Sequence, residues 1–382
     1  MDRLADSIFL KEEHLIFRDQ SRRFIQKHLA PHVDEWERDK TFPREVYTLL
    51  GDAGYLGVNF PKQYGGSEGD LFHMIILGEE IIRSGSSGVG ASLGTVGIAM
   101  PPFLYAGTEA QKMKYLPKVL SGEWISALAV TEPGAGSDVA AVRTKATLDG
   151  DHYVINGAKT FITSGCRADL ITAVVRTGGP GFGGISLLAV ETDRPGFKVT
   201  RNLDKMGWHP SDTAEMVFED VRVPVENLIG PENGGFAVLM RNFATERLTL
   251  ATSAVEMAQL AYEESLKYAR ERRAFGKTIA GFQITRHKLA EMATGLDVCR
   301  TYNYALANRI IAGDNPIKEV AIAKNASTDM ASRVIDQAVQ IHGGFGYMRE
   351  FLVERLYRDI RLYPIGGGTR EIMNEIISKT IL

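Results

Sequence analysis

Ala129-Val130-Thr131-Glu132-Pro133-Gly134-Ala135-Gly136-Ser137-Asp138 is the stretch on which the reading of this chain turns. A β-type run that ends in Thr and passes into a Pro/Gly turn can aim hydroxyls and backbone N–H groups at a planar cofactor. Taken alone it is only moderately informative, because the same residues make an ordinary strand exit.

Before about residue 120 apolar residues recur at spacings of three and four, as in Ile16, Phe17, Phe24 and Ile25 and then Val46, Leu49 and Leu50, which predicts helices. From about Trp124 the period becomes two. Asn156-Gly157, between Tyr153-Val154-Ile155 and Lys159-Thr160-Phe161-Ile162-Thr163, predicts a tight hairpin turn. Residues 170–175, 185–190 and 215–221 continue as β-branched runs. After Gly234-Gly235 the helical period returns with two stripes, Leu248, Ala251, Val255, Ala258 and Tyr262 beside Leu250, Ala254, Met257 and Ala261. A helix with two apolar faces packs on both sides. The order helices, strands, helices predicts an α+β chain with domains at 1–122, 123–233 and 234–382.

The 382 residues are 44% hydrophobic, enough for a large core, and 44 basic against 47 acidic residues leave a net charge of -3 without a basic stripe. That balance argues against nucleic acid as a partner. Met1-Asp2-Arg3-Leu4-Ala5-Asp6 has no signal pattern, and no uninterrupted apolar run approaches the ~18 residues of a membrane span. A soluble protein without a membrane span is expected, in a bacterial cytoplasm or, for a mature eukaryotic chain, the mitochondrial matrix. Cys166 and Cys299 are too few for a disulfide scaffold, and no H-E-x-x-H or paired C-x-x-C suggests a metal. Gly179-Pro180-Gly181-Phe182-Gly183-Gly184 matches a dinucleotide G-x-G-x-x-G in letters only, because a strand rather than a helix follows it. It reads as a mobile hairpin loop.

The opening decapeptide, Arg272-Arg273-Ala274-Phe275-Gly276-Lys277, Gln340-Ile341-His342-Gly343-Gly344 and Gly367-Gly368-Thr369 together resemble the acyl-CoA dehydrogenase family, in family order and over nearly the whole chain. The resemblance implies an N-terminal helical domain, a middle β-barrel or sandwich and a C-terminal four-helix bundle. It also implies FAD. Leu128 and Thr131 would border the flavin, Phe161 would lie against the isoalloxazine, Thr163 near N5, and Ser137 near the CoA ester. Arg272 would hold the pyrophosphate across a subunit boundary, with Phe275 and Gln283 at the adenosine and Gln340 and Gly344 completing the pocket. Thr369 and Glu371 would contact the cofactor as well. Such an exchange implies a homotetramer, a dimer of dimers.

One departure matters. Many members carry a catalytic glutamate immediately before the Gly-Thr pair, where this chain has Gly367. Glu246, in Phe243-Ala244-Thr245-Glu246-Arg247-Leu248, aligns with the base of the long-chain and isovaleryl-CoA branches, which lack that glutamate. A lone helical carboxylate is ordinarily a solvated one. Here the resemblance makes Glu246 the α-proton base, with Ser137, Phe243, Arg247, Gly367 and Gly368 facing the substrate. It implies that the β hydrogen of a medium-chain, long-chain or branched acyl-CoA passes as hydride to flavin N5, giving a trans-2-enoyl-CoA. A flavin ribityl hydroxyl and the N–H of Gly367 would hold the carbonyl oxygen. Electron-transferring flavoprotein would be the partner. An acyl-CoA oxidase, a flavin monooxygenase and a non-catalytic acyl-CoA-binding flavoprotein remain the alternatives.

Overall fold

The computed structural model describes residues 3–382. The helical period of the first third becomes α1 (Leu4–Phe9), α2 (Glu12–His28), α3 (Val33–Asp39), α4 (Glu45–Asp52), α5 (Leu71–Ile82), α6 (Ser87–Leu93), α7 (Val96–Ala99), α8 (Pro101–Ala106) and α9 (Glu109–Leu120). Starts are set by capping side chains: Asp70 accepts Phe72 N–H and His73 N–H at α5, and Thr108 with Gln111 forms a capping box at α9. His14, Asp70 and His73 bring their ligand-type atoms within 4.8 Å of one another. The cluster is engaged in helix starts: His14 Nδ1 accepts Lys11 N–H, and His73 Nδ1 accepts Asp70 N–H.

Within the 20 residues Ser87–Ala106 the most apolar window has a mean hydropathy of 1.3, which on composition alone is long and apolar enough to cross a membrane. The expectation from uninterrupted runs passed over it because Ser, Gly and Thr interrupt it. In the fold it is divided among α6, α7 and α8, and 56% of its most apolar window is buried against the rest of the protein.

The strands are β1 (Ser126–Ala129), β2 (Lys145–Asp149), β3 (His152–Thr163), β4 (Leu170–Arg176), β5 (Ile185–Glu191), β6 (Phe197–Asn202), β7 (Thr213–Pro224) and β8 (Leu228–Ile229). They follow the order β6-β7-β3-β2-β4-β5-β8, with β1 parallel to β4. β2 meets β4 only at Lys145 and Arg176, so the sheet folds there into two layers. Ile155, Met216 and Val221 from one layer share a core with Ala127, Ile171 and Val190 from the other. The opposite faces of β4 and β5, with Val174 and Leu187, pack on the N-terminal helices. Burial on both faces is why these strands read as continuous apolar runs instead of alternating.

The Asn156-Gly157 expectation is corrected. β3 runs straight through this pair, and the reversal lies at Gly150-Asp151, where Asp149 faces His152 and Gly150 has φ 64°. Asn156-Gly157 is instead a bulge in the pairing of β3 with β7. Gly is required at 157 because a Cβ would stand 2.6 Å from Thr144 Cα. The Gly179–Gly184 run does join antiparallel β4 to β5, as a hairpin loop.

The C-terminal part holds α10 (Gly235–Glu271), a two-residue hairpin of β9 (Arg273–Ala274) and β10 (Lys277–Thr278), then α11 (Gln283–Ile311), α12 (Ile317–His342), α13 (Leu352–Ile360) and α14 (Arg370–Ile381). α12 packs on α10, α11 and α14. α10 is packed on two sides, with Leu248 and Ala251 in a core shared with α5, and Ala254, Met257 and Ala261 in the core of the C-terminal helices. Ion pairs to the buried Glu256 fix its register: Glu256 meets Arg83 at 2.8 Å and Arg300 at 2.9 Å. Glu246 lies about 15 Å along the same helix from Glu256. Its position is thereby tied to the N-terminal helices.

The candidate active site

Glu246 projects from α10 toward the turn Gly366-Gly367-Gly368 that precedes α14. Its Oε1 lies 3.4 Å from the point where a side chain on residue 367 would begin, and Leu250 Cδ1 lies 2.6 Å from that point. The carboxylate therefore reaches the turn from the helix, and Leu250 fills the space a side chain at 367 would need. Gly367 and Gly368 have φ 64° and 98°, left-handed conformations that favour glycine. Glu246 is half-buried, and the desolvation of its carboxylate pushes its pKa up to about 7, against the pull of Arg247 and Lys324. A carboxylate so placed exchanges a proton near neutral pH.

Arg247 follows Glu246 and reaches the same turn: its Nε donates to Gly367 O at 3.2 Å and its guanidinium lies 5.2 Å from the Phe243 ring centroid. Gly366 N–H donates to Leu362 O at 2.9 Å, whereas Gly367 N–H and Gly368 N–H have no protein acceptor among the described residues. Thr369 caps α14 through Ile372 N–H at 3.3 Å, and Glu371 sits exposed in the first turn.

A second group forms on the middle domain. Thr131 follows β1, and its carbonyl accepts Thr160 N–H at 2.9 Å. Between Lys159 and Ile162 β3 carries one extra residue against β7, and Phe161 there takes φ 59°. A bulky residue in that conformation is strained, of order 1–3 kcal/mol. The result is an aromatic ring that is 67% exposed. Thr131 and Thr163 are half-buried with hydroxyls that lack a protein partner among the described residues, and Ser137 is exposed. Leu128 and Phe243 pack on the same apolar core, which brings the two groups onto neighbouring walls. α7 lies between them: Ala99 O accepts the Thr172 hydroxyl at 2.8 Å and Gly97 O accepts Asn242 Nδ2 at 3.0 Å.

Two residues passed over in the sequence hold this wall. Lys159 is 1% exposed and its Nζ donates to Val130 O and to Glu132 Oε1, both at 2.9 Å. Glu132 in turn accepts Arg143 N–H at 2.7 Å and Thr144 N–H at 2.8 Å. Burial lowers Lys159 to about 8 while Glu132 pulls it back up, and Glu132 is held below the usual carboxylate range against its own burial. The signal was available, since Lys159 shares the inward parity of Tyr153 and Ile155 along β3.

The third group stands apart. Arg272, Phe275, Gln283, Gln340 and Gly344 are all exposed, with Phe275 96% so at the tip of the β9–β10 hairpin. Arg272 lies about 39 Å from Glu246 along α10 at 1.5 Å per residue. His342, next to this group, is buried, bonds Ala338 O at 2.7 Å and stacks on Tyr268, a structural placement.

Family models cover three successive segments: acyl-CoA dehydrogenase N-terminal domain over residues 11–123, middle domain over 127–221 and C-terminal domain over 233–382. The long-chain specific acyl-CoA dehydrogenase of Mus musculus mitochondria is 40% identical over 379 residues, 97% of this chain and 86% of the relative. The chain belongs to the acyl-CoA dehydrogenase family. A crystal structure titled a probable acyl CoA dehydrogenase from Mycobacterium abscessus superposes with a TM-score of 0.96 at 49% identity, covering 98% of this chain and 100% of that one. The caffeyl-CoA reductase-Etf complex subunit CarC of Acetobacterium woodii is 37% identical over 378 residues, 98% of this chain and all of the relative.

Acyl-CoA dehydrogenases use FAD. The residues present suit a flavin: an exposed aromatic face at Phe161, the hydroxyls of Thr131 and Thr163 and the N–H groups of Gly367 and Gly368, all without protein partners among the described residues. Phe161→Ala removes the aromatic face but leaves the bulge. Offset stacking is worth about 0.5–1.5 kcal/mol, so FAD retention should weaken by about 2- to 12-fold. Flavin fluorescence released on dilution measures it, and retention equal to that of the parent would remove Phe161 from the cofactor wall.

Proposed function

We propose that this acyl-CoA dehydrogenase oxidises a medium-chain, long-chain or branched acyl-CoA to the trans-2-enoyl-CoA, with Glu246 taking the α proton. The observation that carries the reading is the carboxylate of Glu246 beside Gly367, with a pKa of about 7, at a turn where Gly367 N–H and Gly368 N–H have no protein acceptor among the described residues. Proton removal α to a thioester needs a base in reach and donors for the charge that grows on the carbonyl oxygen. Glu246 supplies the first and Gly367 N–H the second. FAD, when bound, supplies the two-electron acceptor for the β hydrogen. Leu128, Thr131, Phe161 and Thr163 hold its ring, Thr369 and Glu371 adjoin it, and Ser137, Phe243, Arg247, Gly367 and Gly368 face the ester.

Arg272, Phe275, Gln283, Gln340 and Gly344 complete the cofactor site of a neighbouring subunit in a homotetramer. Their exposure and the length of α10 between them and Glu246 support that assignment. The domain divisions at 122 and 233 fall in the connections before β1 and α10. Electron-transferring flavoprotein is the proposed partner, supported by the Etf-complex relative.

A Cβ on Gly90 would meet Ile81 at 3.3 Å, and Ser92 bonds Ser211 at 2.9 Å. Space for an acyl chain opens at Gly97, where a side chain would meet nothing within 4 Å, beside Asn242, one turn before Glu246.

Anaerobic titration of the FAD-loaded protein with short, long and branched acyl-CoAs, following flavin bleaching, tests the reading. Bleaching by one class identifies the substrate. Because Glu246 acts in its ionised form, kcat/KM should rise with pH through about 7 and level off above it. A profile without an acidic limb near that pH would count against Glu246. A second direction is supported by the reductase relative: the same half-ionised carboxylate would return the α proton to an enoyl-CoA. Reoxidation of reduced enzyme by an enoyl-CoA, faster than acyl-CoA bleaches the oxidised form, would favour that reading.

A further inference from the structure

Beneath the Gly366–Gly368 turn lies a buried lysine. Lys324, on α12, is 1% exposed, and its Nζ donates to Gly366 O at 2.6 Å and to Gly368 O at 2.5 Å. Arg247 Nε takes the carbonyl between them, Gly367 O, at 3.2 Å. Three successive carbonyls of the turn are thus held by two cations that the fold buries. In a trans peptide the C=O of one residue and the N–H of the next share a plane and point opposite ways. A cation on Gly366 O therefore turns Gly367 N–H away from Lys324, and one on Gly367 O does the same for Gly368 N–H. These are the two N–H groups without a protein acceptor among the described residues.

Lys324 also bears on the base. Its Cε lies 3.9 Å, and Glu246 Oε1 3.4 Å, from the same point above Gly367. The charged groups that bear on Glu246 are Arg247 on its own helix and Lys324 on α12, and those that bear on Lys324 are Arg247 and Glu246. Burial, then Arg247, lowers Lys324 to about 8, and Glu246 pulls it up. Two carbonyl acceptors favour the ammonium form, so at neutral pH Lys324 is a donor and not a second base. Its position was readable in part, because Val320, Lys324, Ser327, Ala331 and Val334 follow one buried face of α12.

We propose that Lys324 is a positioning residue for the reaction, holding the Gly366 and Gly368 carbonyls so that Gly367 N–H meets the thioester oxygen, and setting the charge beside Glu246. The inference rests on the reading of Glu246 as base. Lys324→Met removes donor and charge, whereas Lys324→Gln keeps a donor without charge.

The test is the anaerobic bleaching rate of FAD-loaded enzyme between about pH 6 and 9, with whichever of octanoyl-CoA, palmitoyl-CoA and isovaleryl-CoA bleaches the parent fastest. Glu246→Gln is run beside the lysine variants. Lys324→Met should keep its flavin and its half-saturating acyl-CoA concentration within about threefold, yet lose at least about tenfold in the saturating rate. In both lysine variants the acidic limb should move to higher pH, since the loss of a neighbouring cation raises a carboxylate's pKa. Gln should recover part of the rate but not the limb. Saturating rates within about twofold of the parent and an unmoved limb would overturn the proposal. Should Lys324→Met fail to fold, the limb of Lys324→Gln decides alone, an unmoved one overturning it. If Glu246→Gln bleaches like the parent, the base reading falls and this inference with it. If Glu246→Gln is inert while both lysine variants match the parent, only this inference falls.

Discussion

Glu246→Gln is expected to lower the rate of flavin reduction by acyl-CoA by about 10²–10⁴-fold, the usual contribution of a positioned general base. The substitution keeps shape and hydrogen-bonding reach but cannot accept the α proton. Flavin absorbance and acyl-CoA binding should persist, since Leu250, Arg247 and the Gly367 turn retain their packing. Stability should move the other way. Desolvation raises the folded pKa of Glu246 from 4.5 to about 7, so the folded state binds this proton more tightly than the unfolded chain does. The stability this confers is full below about pH 4.5 and is lost as pH rises through about 7. Above that range the half-buried, partly desolvated Glu246 carboxylate disfavours folding by up to about 3 kcal/mol. Gln removes that cost, so the variant should have a higher denaturation midpoint at pH 8 than the parent while being nearly inert. A variant that bleaches at the parent's rate would sink the assignment of the base.

Lys159→Met should have the largest effect on stability, about 3–5 kcal/mol, because it leaves Glu132 buried with its negative charge uncompensated. The loss extends to the cofactor wall. Lys159 also holds Val130 O, and Glu132 holds the N–H groups of Arg143 and Thr144, so the segment from Val130 to Thr144 that contains the turn is fastened at both ends by this one pair. FAD should then be released more readily, alongside a lower urea midpoint. Lys159→Met combined with Glu132→Gln removes both charges and should recover part of the loss, since residues in direct contact couple strongly. If the single variant unfolds at the parent's midpoint and holds FAD equally well, the pair does not organise the turn.

Much of the site was legible from residues that act near one another in sequence. The stripes on α10 placed Glu246 on a helix packed on two sides, and the Thr131 turn and the Gly367-Gly368-Thr369 run carried the family pattern. Asn156-Gly157 was misread because that dipeptide suits both a primed turn and a bulge. Thr144 against Gly157, and Asp220 bonded to Asn156, decide between them from distant parts of the chain. The lysines escaped notice for a related reason. A Lys is ordinarily solvated, and only its neighbours show when it is not.

The sequence by itself therefore determined the succession of helices and strands, the motif residues and the departure at Gly367, because these rest on local periodicity and on side-chain identity. Only the tertiary structure decided that Leu250 and Glu246 crowd the space beside Gly367, that Lys159 pairs with Glu132, and that Lys324 meets the Gly366–Gly368 turn. The physical reason is that desolvation and hydrogen bonding depend on what surrounds a group in space. For a charge on an apolar face those surroundings are set by elements the chain supplies tens of residues away.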